Sequence, residues 1–175
     1  MLKRVRSLLL WGGILSFYSV NAQKPKDFYV SYPQSGGTLY HIFPISFFEH
    51  ETDGNLTLDI TCQCNKDSAI INFTYYAPHT ELLDSVNFRA GKIYLTGKAE
   101  KFFIEPETTK RWAHRYSLHV PIQSLYSFFN LKALPNVTLY VNSTKKEYEL
   151  KKSEWSKKAP VIRTILKTIH IDCNK

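Results

Sequence analysis

The run Lys110-Arg111-Trp112-Ala113-His114-Arg115-Tyr116 interleaves rings and cations and is the stretch best suited to recognition. On a strand, side chains alternate between faces. Trp112, His114 and Tyr116 would then share one face, and Arg111, Ala113 and Arg115 the other. A row of rings can stack on sugar rings or on bases. The competing assignment is structural, with Trp112 and Tyr116 in the core and the arginines outside.

The three cysteines offer a second chemistry. Cys62 and Cys64 lie in Thr-Cys-Gln-Cys-Asn, and Cys173 lies near the end of the sequence. A disulfide is permitted in an exported chain, and an odd count leaves one thiol over. Cys173 is therefore expected to bridge to Cys62 or Cys64 and pin a C-terminal helix to a sheet. None of the three has metal-type spacing to histidine. The six histidines are scattered, with no H-E-x-x-H.

The acidic turn Glu49-His50-Glu51-Thr52-Asp53-Gly54 partly imitates a calcium loop, with oxygen ligands at alternate positions before a glycine. The imitation fails at the first ligand, which is Glu, and at the last, where Ile60 stands in place of a bidentate Glu. This turn reads as a hairpin tip, and no metal or cofactor is assigned to the chain. Paired carboxylates for glycoside cleavage need only meet in space. Glu81, Asp84, Glu105 and Glu107 are available, but spacing singles out no pair. No G-x-S-x-G is present, nor an S-x-x-K at a helix start.

The elements that would position these groups are mostly strands. Aromatic residues make up 14% of the chain, in short runs bounded by Gly, Pro, Asn and Asp, which is a β-rich pattern. Strands are expected at 27–33, 38–50, 56–62, 69–77, 92–96, 101–105, 111–120, 136–141 and 147–151. The clearest has Leu56, Leu58, Ile60 and Cys62 alternating with Thr57, Asp59, Thr61 and Gln63. Asp53-Gly54 signals a two-residue hairpin, and 142–145 a further turn. Pro44 cannot donate to a ladder and is expected at an edge or a bulge.

Two helices follow late in the chain. Pro121 suits a first helical position, with Ile122, Leu125, Tyr126 and Phe129 on one face. A C-terminal helix over about 157–171 carries Val161, Ile162, Ile165, Leu166 and Ile169, with Pro160 in its first turn. The Lys-rich stretch 145–158 reads as a solvated strand and helix approach. The fold class is mainly β, a single antiparallel β-sandwich or partly open barrel of about nine short strands with two short helices in the C-terminal third.

The 175 residues carry 23 basic and 15 acidic side chains, for a net charge of +8. Lys3, Arg4 and Arg6 precede an apolar run from Leu8 to Val20 and then Asn21-Ala22-Gln23, the form of a secretory signal cut before Gln23. The run is shorter than the roughly 18 residues needed to span a bilayer, and four Gly and Ser residues interrupt it. Residues 1–22 are thus read as a cleaved signal and 23–175 as one domain, exported to a periplasmic or extracellular space. Of the four N-x-[ST] sequons, at Asn55, Asn72, Asn136 and Asn142, the first and last fall in turns.

Export argues against nucleic acid and favours a glycan or an envelope protein as partner, with no transmembrane segment after signal removal. The expected function is a non-catalytic binding or accessory role, its ligand held by Trp112, His114, Tyr116, Arg111 and Arg115. A small exported hydrolase acting on polysaccharide or peptide is the alternative. A third reading is a structural partner docking through the strand edge bearing Pro44 or through the Lys-rich end.

Overall fold

The computed structural model describes residues 24–173, so the expected signal segment lies outside the described residues. A short 3-10 turn at Pro25–Phe28 takes up the first two residues of what the sequence reads as a strand over 27–33. The extended part is β1, Tyr29–Tyr32. Then come β2 (Leu39–His50), β3 (Gly54–Gln63), β4 (Ser68–Ala77), β5 (Leu83–Ala90), β6 (Ile93–Gly97), β7 (Glu100–Thr108) and β8 (Arg111–Pro121). Helix α1 (Ile122–Asn130), β9 (Pro135–Val141), β10 (Thr144–Leu150) and α2 (Lys152–Cys173) complete the chain.

All pairings are antiparallel, and the strands form one curled sheet in the order β6-β5-β9-β10-β2-β3-β4-β8-β7, with β1 alongside β2. Of the two architectures left open by the sequence, this is the partly open barrel. β5 is the strand the sequence reading passes over. Its inward residues Val86, Phe88 and Ala90 do alternate, but a register shift between Leu83 and Ser85 breaks their phase at the start.

Pro44 lies in β2 where the pairing with β3 shifts register between Ile42 and Ile45. On its other side β2 meets β1 only over Leu39–Ile42, and β10 only at Phe48 and Glu49. The missing N–H of Pro44 falls between these two partners and costs no ladder bond. β2 is therefore an interior strand and not a docking edge. The path ends at β6 and β7. β7 is blunted by Pro106 and by register shifts at Lys101/Phe103 and Pro106/Thr108, features that discourage strand addition.

The concave side of the sheet holds the core. Ile42, Phe48, Leu56, Ile60, Phe73, Phe88, Leu118 and Leu139 are essentially inaccessible. The helices close one end. Trp155 meets Phe47 and Phe128 edge to face, and it stacks on Phe129 at 5.4 Å between centroids. This contact explains why α2 begins at Lys152 and not near residue 157. Trp155 sits in the first turn as an anchor, so Pro160 falls inside the helix. Ile162, Ile165, Leu166 and Ile169 are buried as the stripe requires, while Val161 lies at its margin. No helix among the described residues is long and apolar enough to cross a membrane.

The expected disulfide joins Cys64 to Cys173, 109 residues apart, and ties the last turn of α2 to the end of β3. Gly37 makes room beside it. Its φ of +101° suits glycine alone, and a Cβ there would lie 2.6 Å from the Cys64 carbonyl. Cys62 remains a free, buried thiol, and burial pushes its pKa up to about 12. The native protein should resist alkylation at pH 8, with one thiol labelled only after unfolding, as mass spectrometry would record. Rapid native labelling would contradict this burial.

Candidate functional site

A cleft of about 920 Å³ opens where four turns meet: the β2–β3 hairpin, the β4–β5 loop, the β7–β8 turn and the β9–β10 hairpin. The β2–β3 turn is wider than the Asp53-Gly54 dipeptide implies. His50 pairs with Gly54, which takes φ +76°, so Glu51, Thr52 and Asp53 form a three-residue loop. This geometry turns the Asp53 side chain inward towards β10, the neighbour of β2. The β9–β10 hairpin is tight, with Asn142 and Ser143 both at positive φ as a type I′ turn requires. Thr144 pairs with Val141, and Lys146 shares the inward face with Tyr148.

The floor of the cleft is a buried charge cluster. Lys146 Nζ donates to Asp53 Oδ2 at 3.0 Å and to Glu81 Oε1 at 2.7 Å. Both carboxylate side chains are almost completely buried. The Tyr148 hydroxyl donates to Asp53 Oδ2 at 3.3 Å, and the Thr52 hydroxyl to Asp53 Oδ1 at 2.9 Å. Burial draws the Lys146 pKa down, but its hydrogen bonds to Glu81 and Asp53 and their charges outweigh that and leave it above the usual lysine value. The Asp53 carboxylate of the calcium-like turn is thus satisfied by an ammonium group.

Beneath this cluster lie the rings of the Trp112–Tyr116 row. Tyr75 stacks on His114 at 4.8 Å, and the Glu81 backbone N–H donates to His114 Nε2 at 3.1 Å. That bond requires Nε2 to be unprotonated, so Nδ1–H donates to the Trp112 carbonyl. Burial, the largest influence, lowers the His114 pKa, consistent with a neutral ring. The Tyr116 hydroxyl accepts the Leu83 N–H. The Tyr75 hydroxyl is buried without a hydrogen-bond partner.

These positions correct the sequence reading of the row as a ligand platform. His114 and Tyr116 are 0% and 2% exposed, and Trp112 is half-buried. The reason is register: His114 and Tyr116 pair with Tyr75 and Phe73, which face the core. The two arginines do not act together either. Arg115 lies on the convex face, where it donates to Asp59 Oδ1 at 2.6 Å and to Thr74 Oγ1 at 3.0 Å. Asn72 donates to the same Asp59 carboxylate, so the Asn72 sequon is committed to structure, while Asn55, Asn136 and Asn142 are exposed.

Arg111 alone of the five lines the cleft. Its guanidinium covers the Tyr76 ring at 3.9 Å. Nε pairs with Glu107 at 3.2 Å, and Nη2 donates to the Asp53 carbonyl at 3.2 Å. Lys110 and His79 stand exposed at the mouth, and Tyr76, Ala77, Pro78 and Val141 supply apolar wall. The sequence gives no direct sign of the Asp53–Lys146–Glu81 cluster, because its members come from two turns and a strand far apart in the chain. Alternation is the one available clue, since an inward Tyr148 places Lys146 inward too.

Neither protein-family models, nor curated proteins, nor solved structures provide a match to this chain.

Proposed function

We propose that this chain is an exported, non-catalytic binding protein that takes a saccharide into the cleft between its four turns. The carrying observation is the state of the cleft floor. A glycoside hydrolase needs one carboxyl free to give a proton and another free to attack or to activate water. Here one oxygen of each, Asp53 Oδ2 and Glu81 Oε1, is bonded to the Lys146 ammonium. A buried floor whose carboxylates are both held by one ammonium, beneath an open cleft of about 920 Å³, suits recognition better than acid–base chemistry. The mixture of apolar wall and polar rim matches the two kinds of surface a sugar presents. The disulfide supports a site of action outside the reducing cytosol.

The test is calorimetric titration with a panel of neutral and acidic oligosaccharides, alongside chromatography of each mixture after long incubation. The expected result is saturable binding of at least one oligosaccharide, weakened by Tyr76→Ala, with every sugar recovered intact. Cleavage would move the protein to the hydrolase class, and absence of binding across the panel would refute the saccharide reading.

A further inference from the structure

We infer that the cleft selects a saccharide bearing an oxyanion, a carboxylate or a sulfate, and that Arg111 is the residue that reads it. The inference rests on the saccharide reading above and adds the ligand's charge.

The first support is the vertical arrangement of charge. The acids of the cleft are on its floor, where the Asp53 and Glu81 side chains are only 3% and 5% exposed and are held by Lys146. The cations are higher. The Arg111 side chain is 42% exposed, and Lys110 is exposed beside it. An entering ligand therefore meets positive groups before the shielded carboxylates.

The second support is the state of the guanidinium. Its Cζ lies 3.9 Å from the Tyr76 ring centroid, Nη2 donates to the Asp53 carbonyl, and Nε is ion-paired with Glu107. Nη1 has no protein partner among the described residues. A planar fork oriented in this way loses little freedom when it binds an oxyanion, and charge-assisted bonds of this kind are the stronger class. Because the guanidinium covers the Tyr76 ring, that face is closed to a sugar, and the cation itself becomes the contact. The Gly54 backbone lies under the same group, where an added Cβ would come within 3.2 Å of Nη2. The turn conformation that sends Asp53 to the floor therefore also makes space for Arg111.

Among the described residues Glu107 is the one carboxylate paired with Arg111, and the pair is partly exposed. It competes with a ligand oxyanion for the same guanidinium. Two substitutions should consequently act in opposite directions. Arg111→Ala should weaken binding of an acidic ligand about tenfold, and Glu107→Gln should tighten it. A merely structural Arg111–Glu107 pair would give losses of similar sign from both.

The experiment is calorimetric titration of the intact protein and both variants with a tetragalacturonate, a sulfated neutral tetrasaccharide and the unmodified neutral tetrasaccharide. The inference expects at least one acidic sugar to bind about tenfold more tightly than the neutral one, with the preference lost in Arg111→Ala and increased in Glu107→Gln. The two acidic arms separate carboxylate from sulfate. Equal affinity for all three sugars, or a preference that survives Arg111→Ala, would overturn the inference and leave the saccharide reading standing. Failure of every sugar to bind would overturn both.

Discussion

Cys173→Ser should lower the unfolding midpoint by about 10–15 °C. The disulfide closes a loop spanning 109 residues, and constraining the unfolded chain to that extent is worth about 4–5 kcal/mol in the entropy model. For a domain of this size each kcal/mol moves the midpoint by roughly 2–4 °C. Scanning calorimetry of the oxidised protein and the variant measures the difference directly. A second variant sharpens the result. In Cys64→Ser, the buried Cys62 lies only two residues away and would be the one thiol able to take over Cys173. If burial holds Cys62 in place, Cys64→Ser and Cys173→Ser should unfold at the same temperature. A midpoint in Cys64→Ser close to that of the parent would mean that Cys62 replaces it, and that the end of β3 is far less rigid than its packing indicates. Midpoints within a degree or two of the parent in both variants would mean that the bridge contributes little.

That a bridge reaches Cys173 is legible in the sequence, because a chain with one distant cysteine and a pair near a strand end has few arrangements. The choice of Cys64 over Cys62 is not. Both are buried, and the difference is that Cys64 lies just past Gln63, where the chain has left the ladder and approaches α2. The same division runs through the rest of the molecule. Alternation locates β3, β4 and β8 to within a residue or two, because each buries one face against a continuous core. It loses β5, where a register shift breaks the phase. It misplaces the start of α2, where Trp155 anchors a first turn that begins five residues ahead of the expected 157. The site is less legible still. Trp112, His114 and Tyr116 are correctly placed on one strand face, but only the partner strand shows which way that face turns. Lys146 sits in a Lys-rich run that composition assigns to solvent, and its inward direction depends on its phase with Tyr148. Asp53, Glu81 and Lys146 become a cluster only through the order of β2, β10 and β9 in the sheet, and local sequence does not specify that order.

Lys146→Met is the substitution that tests this cluster most severely. The side chains are of similar length, so packing is nearly conserved, while the one positive charge bonded to two buried carboxylates is lost. Removing one partner of a buried ionic network typically costs about 3–5 kcal/mol, because the remaining charge stays desolvated. At pH 7 the variant should therefore be destabilised by about that amount in urea titrations. The dependence on pH identifies the cause. In the parent, Lys146 has a pKa raised by folding, so its contribution is fully present below the ordinary lysine value and fades only as alkaline pH approaches the raised one. The variant lacks that contribution at every pH. The gap between variant and parent should accordingly hold steady through neutral pH and shrink as the pH rises towards the raised lysine value. His114 acts in the other direction. Its pKa is lowered by folding, so both proteins lose stability as pH drops below about 6.5, the ordinary histidine value. Because His114 is present in both, its effect largely cancels in the difference, and a gap that narrows at alkaline pH reports the Lys146 charge. A loss that stays constant into alkaline pH would instead show that Lys146 acts through packing, and the ammonium-held floor on which the binding reading stands would have to be abandoned.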